Sequence, residues 1–288
     1  MRRFSIITIS VLCIGLLLMQ VSVAAEKGLL WRISGKGDDS YLFGTMHSDD
    51  PRITQLPAIV KSHYNQADTL MLEIALDQST TASVAALMMQ APQETLSKQI
   101  GVSLAHEASQ ALESKGIPPS VTEMLKPWAV VMTLSMPRME SGQFLDKQLY
   151  DRAVASGKQF HPLETPEEQI SILSSLSLDE QKSLLRHVLD EYQTYPRMFE
   201  RLTEAYLARD LGKINDISLA NPISTDSALQ DKVMTRMLLQ RNQHMFERMK
   251  PFLSRGKVFI AIGALHLIGD EGLIALLRQH GYKVNCLY

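Results

Sequence analysis

Cysteine is nearly absent, with two in 288 residues, Cys13 and Cys286. Cys13 lies in an apolar N-terminal run, and once that run is removed a single thiol remains, which cannot close an internal disulfide in any compartment. Hydrophobic packing must therefore hold the fold. An excess of one charge is missing too: Lys and Arg number 29 against 31 Asp and Glu, interspersed along the chain. A nucleic-acid partner normally demands a concentrated basic surface, so that class is excluded. After Val23 no apolar run is long enough to cross a bilayer. The chain also lacks a His-Glu-x-x-His zinc helix, a Gly-x-Ser-x-Gly nucleophile turn and a phosphate-cradling glycine loop. Its chemistry has to be built from other parts.

At the N-terminus, Met1-Arg2-Arg3 precedes a charge-free stretch from Phe4 to Val23, and small residues follow at Ala24-Ala25. Basic, apolar and small regions in that order predict a secretory signal over residues 1–25, cleaved after Ala25. The expected destination is the periplasm or the exterior. Left uncleaved, a run of about 20 apolar residues would tether the protein to the membrane. Leu12 stands before Cys13 where a lipoprotein signal needs a small residue, so Cys13 leaves with the signal. Residues 26–288 then suffice for one large domain.

Extended segments cluster towards the ends of this region. Leu29 to Ser34 and Ser40 to Phe43 flank a Gly- and Asp-rich turn and predict a hairpin. Thr69 to Leu76 reads as a strand buried on both faces, and further strands are expected at Lys158 to Leu163, Lys257 to Ile262 and Lys283 to Leu287. Helical spacing fills the rest, at about 78–157 and 166–250, with breaks near Pro196, Gly212 and Pro222. Thr165-Pro166-Glu167-Glu168 is a capping box that starts a helix, and Gly281 is placed to end one. The fold class is α/β: a small mixed sheet with large helical insertions. In such open sheets ligands bind beyond the carboxyl ends of the strands.

Two expected strands end alike, Phe43 in Gly44-Thr45-Met46-His47 and Ile262 in Gly263-Ala264-Leu265-His266. In each Gly-x-x-His the glycine permits a sharp turn or close approach, and the histidine can ligate a metal or move a proton. Glu73 sits within an apolar segment, where an ionised carboxylate needs a cation or donors. Glu164 follows another strand and Arg241-Asn242 lies on the long helix before the strand at Lys257, from which the arginine could pair with Glu73 or a substrate anion. Met234, Met237, Met245 and Met249 fall at helical spacing and read as core filler. Cys286 reads as inert core.

At these residues the chain resembles the TraB/GumN family, whose relatives include the animal Tiki proteins. The likeness covers essentially all of residues 26–288. It is carried most specifically by Leu42-Phe43-Gly44-Thr45-Met46-His47, the Glu73 segment, Leu163 to Gln169, Arg241-Asn242, and Ile262 to Leu267 with Gly269 and Gly272. The resemblance implies a metalloprotease-like hydrolase dependent on a divalent cation, and a fold similar to erythromycin esterases and haem-binding ChaN-like lipoproteins. The expected metal set is His47, Glu73 and His266, holding manganese, cobalt or zinc and leaving a position for water. Glu164 is expected to orient that water, with Arg241 and Asn242 beside it as catalytic positions. The expected substrate is a peptide or protein.

Two other readings share the same crevice. One is a metal-free hydrolase using a histidine base with a glutamate partner. The other is a non-enzymatic module that sequesters a peptide or haem. Fold membership alone does not choose among the three.

Overall fold

The computed structural model describes residues 27–91, 93–139 and 141–288, so the expected signal at 1–25 lies outside the described residues. Six strands form one mixed sheet: β1 Leu30–Ser34, β2 Ser40–Thr45, β3 Thr69–Leu72, β4 Gln159–Pro162, β5 Val258–Gly263 and β6 Lys283–Cys286. Their order is β4-β3-β5-β2-β1-β6. β4, β3, β5 and β2 run parallel, while β1 pairs antiparallel with both β2 and β6. Parallel neighbours require crossovers. Helices between Gln78 and Ser156 carry the chain from β3 to β4, and others between Pro166 and Leu253 carry it from β4 to β5. All four parallel strands therefore deliver their carboxyl ends to one edge.

The α/β class expected from the sequence is the one observed. The capping box closes at Thr165, whose hydroxyl takes the N–H of Glu168 while the Glu168 carboxylate takes that of Thr165. Gly281, with φ +86°, follows the helix Leu273–Gln279. Two expectations need correction, the end of the third strand and the burial of Cys286. The strand at Thr69 stops at Leu72 instead of Leu76. A doubly covered strand cannot hold an ionised carboxylate, so Glu73 leaves it at the sheet's edge. The break expected near Gly212 falls at Asp210, whose side chain caps the helix Leu211–Leu219. Cys286 is exposed rather than core: on edge strand β6 only Val284 is buried.

Apolar side chains gather into two clusters. One surrounds the sheet and includes the fully buried Phe43, Leu70, Phe259 and Ile260. The other lies among the helices and joins Leu112, Trp128 and Leu134 to Leu185 and Val233. The helices between strands thus build a core of their own, and a cavity lies between it and the strand ends. Among the described residues no helix is long and apolar enough to cross a membrane.

Candidate functional site at the strand ends

The two Gly-x-x-His segments lie side by side. In the parallel β2–β5 ladder Gly44 stands opposite Ile262 and Thr45 opposite Gly263, so both chains leave the sheet at the same level. Neither glycine adopts a left-handed conformation; close approach is what they permit. A Cβ on Gly44 would lie 3.2 to 3.3 Å from Leu267 and Ala264, and one on Gly263 would lie 3.2 Å from Glu73 Oε1. His47 follows in the loop after β2, partly buried, its ring 5.5 Å from that of Phe144. His266 rides on the 3-10 turn Ala264–Leu267 and is buried.

Glu73, at the end of β3, and Glu164, just beyond β4, meet Arg241. The guanidinium Nη2 donates to Glu73 Oε2 at 2.6 Å and to Glu164 Oε2 at 2.7 Å, and Nε donates to Glu164 Oε1 at 2.9 Å. Gln169, on the helix that the capping box begins, donates to both carboxylates at 3.1 Å. The Gly263 N–H completes the set, 2.8 Å from Glu73 Oε1. Arg241 and Glu73 side chains are 12 % exposed and that of Glu164 is 2 % exposed, so this is a desolvated pair of carboxylates sharing one cation. Burial alone would raise Glu73. The charges of Arg241, His266 and His47 and the Gly263 N–H outweigh it and hold the carboxyl at about 2.

Arg241 and Asn242 open the helix Arg241–Leu253 directly after a π-helical turn, Thr235–Gln240. Such turns recur at functional sites because they re-aim the helix face that follows. Asn242 Nδ2 donates to the Glu271 carbonyl, which leaves its Oδ1 to face His266 Nδ1 at 2.6 Å. The amide oxygen can only accept, so Nδ1 carries the proton and Nε2 the lone pair. Burial pushes the His266 imidazolium down to about 4, with Arg241 and His47 adding to the effect against Glu73. At neutral pH the ring is therefore an uncharged ligand or acceptor.

Sequence reasoning missed three residues here. Asp146 is buried in the helix Leu145–Ser156; Thr45 donates to its Oδ1 at 2.9 Å, while Oδ2 has no hydrogen-bond partner. Burial raises its pKa against the opposing pull of His47. Gln169 and Tyr206 are the others, the latter donating to the Gly44 carbonyl at 2.9 Å. The signal for Asp146 was legible: it shares the helical phase of buried Leu149 and Ala153, where a carboxylate is out of place.

His47, Glu73, Arg241 and His266 all line one cavity of about 550 Å³. Glu164 does not line it and instead grips Arg241 from behind. Met237, expected as core filler, is on the cavity wall. Two features suit a divalent cation. Two carboxylates share the one guanidinium of Arg241, leaving negative charge to be met, and one oxygen of the nearby buried Asp146 is orphaned; His266 Nε2 is oriented through Asn242 as ligating imidazoles are oriented. The arrangement is not a closed ligand shell: among the described residues no three His, Cys, Asp or Glu side chains are grouped to hold a metal.

Together these features define an α/β protein with a charged, desolvated site at the carboxyl edge of its parallel strands. The chain belongs to the TraB/PrgY/gumN family, whose model matches residues 29–285. It is 28 % identical to the protein YbaP of Shigella flexneri over 83 % of this chain and 88 % of that one. It is also similar to the metalloproteases TIKI2 and TIKI1 of Xenopus tropicalis, at 24 % and 23 % identity over 90 % of this chain and 60 % and 61 % of theirs. No solved structure matches it significantly.

Two predictions follow the charge pattern. Arg241→Ala strands two buried carboxylates without their cation and should cost about 3–5 kcal/mol, read by urea denaturation at neutral pH; a loss below 1 kcal/mol would contradict the pairing. In chelator, the unfolded chain takes a proton on His266 near 6.5 but the folded chain only near 4. Acidification through that window should therefore remove up to about 3 kcal/mol of stability, and a His266→Gln variant should lose that part of the slope.

Proposed function

We propose that the protein is a hydrolase of metalloprotease type, working outside the cytoplasm, with its reacting centre between His47, His266 and Glu73. The single observation that carries this reading is the convergence of both Gly-x-x-His segments and the Glu73–Arg241–Glu164 network on one cavity. The similarity to the TIKI metalloproteases supports the reaction class, and the basic, apolar and small-residue order of residues 1–25 supports export.

His47 Nδ1 or Nε2, His266 Nε2 and an acidic oxygen from Glu73 or Asp146 would hold a divalent cation. Bound there, it would polarise a scissile carbonyl and lower the pKa of a water. The chain's own groups do the rest. Asn242 fixes the His266 tautomer, so that its lone pair faces the site. Arg241 keeps Glu73 ionised and pinned, and Glu164 with Gln169 holds Arg241 in turn. Glu164 is in this reading a positioning residue. Hydrolysis places the water's hydroxyl on the carbonyl carbon and a proton on the leaving group. Of the two acids, Asp146 is the more able to carry that proton, because burial raises its pKa while Glu73 stays ionised. His266 is disfavoured as a metal-free base: an imidazole titrating near 4 is a weak base at neutral pH.

The test is turnover of a quenched-fluorescent peptide mixture before and after chelation and on return of manganese, cobalt or zinc. Activity should vanish with chelator and return with one of the metals, and His266→Ala and Glu73→Gln should each lower it at least about 100-fold. Activity that survives exhaustive chelation, or full activity in both variants, would remove this reading.

A further inference from the structure

The cavity is two-sided. Its polar lining comes from the strand ends, through Thr45, His47, Glu73 and His266, together with Gln169 and Arg241 that bond to Glu73. The opposite wall comes from the helical layer and is apolar: Val84, Met132, Met136, Leu173, Met237 and Leu238. These six side chains are partly exposed, so the wall they form is accessible rather than closed core. Three are methionines, unbranched and adaptable, which suits a ligand without a fixed shape.

We propose that this wall accommodates a long, unbranched hydrocarbon chain, so that the molecule offered to the site is an acylated amphiphile. Size argues first. At about 30 Å³ for each water-sized group, 550 Å³ has room for roughly 18 of them, well beyond any single amino-acid side chain. Polarity argues second. A peptide main chain carries a donor and an acceptor at nearly every residue, and each needs a partner when desolvated. The apolar wall offers no donor, and the backbone groups of its helices are spent on one another. A hydrocarbon chain makes no such demand. Its polar junction would then lie at the strand ends, where all the hydrogen-bonding groups are. The position of that junction rests on the hydrolase reading above; the binding of the chain does not.

The experiment is calorimetric titration of the whole protein with neutral N-acyl glycinamides whose acyl chains grow from about two to about twelve carbons. Each added methylene should tighten binding by up to about fourfold until the cavity is full. Leu173→Trp, which fills the wall, and Met237→Gln, which makes it polar, should both flatten this dependence, and the second keeps the test open if the first folds poorly. Affinity independent of chain length, an unchanged slope in a folded variant, or a neutral dileucine amide that binds as tightly as the longest acyl chain would overturn the proposal. Chain-length-dependent binding without turnover under any metal would leave this inference standing and remove the hydrolase reading. Turnover without chain-length dependence would do the reverse.

Discussion

The guanidinium of Arg241 between Glu73 and Glu164 is the interaction on which the site depends. It joins the ends of β3 and β4 to a helix that arrives almost eighty residues later, across the sheet's edge. Without it, two carboxylates would stand a few ångströms apart in a desolvated pocket, and one would have to take a proton. With it, Glu73 is ionised and fixed by three donors, one each from Arg241, Gln169 and Gly263, beside the two histidines. The next residue on the same helix, Asn242, sets the His266 ring. One helix start thus fixes both the charge of Glu73 and the tautomer of His266.

Parallel topology explains why these residues meet at all. Strands that run the same way end at the same edge, and the glycines at positions 44 and 263 let the two departing loops pack against their neighbours. The long crossovers that parallel strands require are here large enough to form a second core. That core supplies the apolar side of the cavity and so the volume beside the charged groups at the strand ends.

Much of this was legible in the sequence, for identifiable reasons. Strand ends were visible because glycine and histidine interrupt apolar runs at Phe43 and Ile262, and the helix at Pro166 announced itself by its capping box. The pairing of Arg241 with Glu73 was readable as one option because a carboxylate in an apolar run needs a cation. What could not be read were relations across the chain. That Glu164 holds Arg241 from behind the cavity, that Asp146 comes to Thr45 over a separation of 101 residues, and that Met237 faces open space all depend on tertiary placement. The end of β3 was misjudged because apolar residues continue past Glu73, and only the paired neighbours fix where the ladder stops.

If His47 and His266 serve one centre, they should bind one cation together. Manganese titration of the purified protein, followed by calorimetry beside His47→Ala and His266→Ala, measures this. One equivalent should bind the parent and be lost in both variants. Specific binding that survives either substitution unchanged, or its absence from the parent with manganese, cobalt and zinc alike, would contradict it.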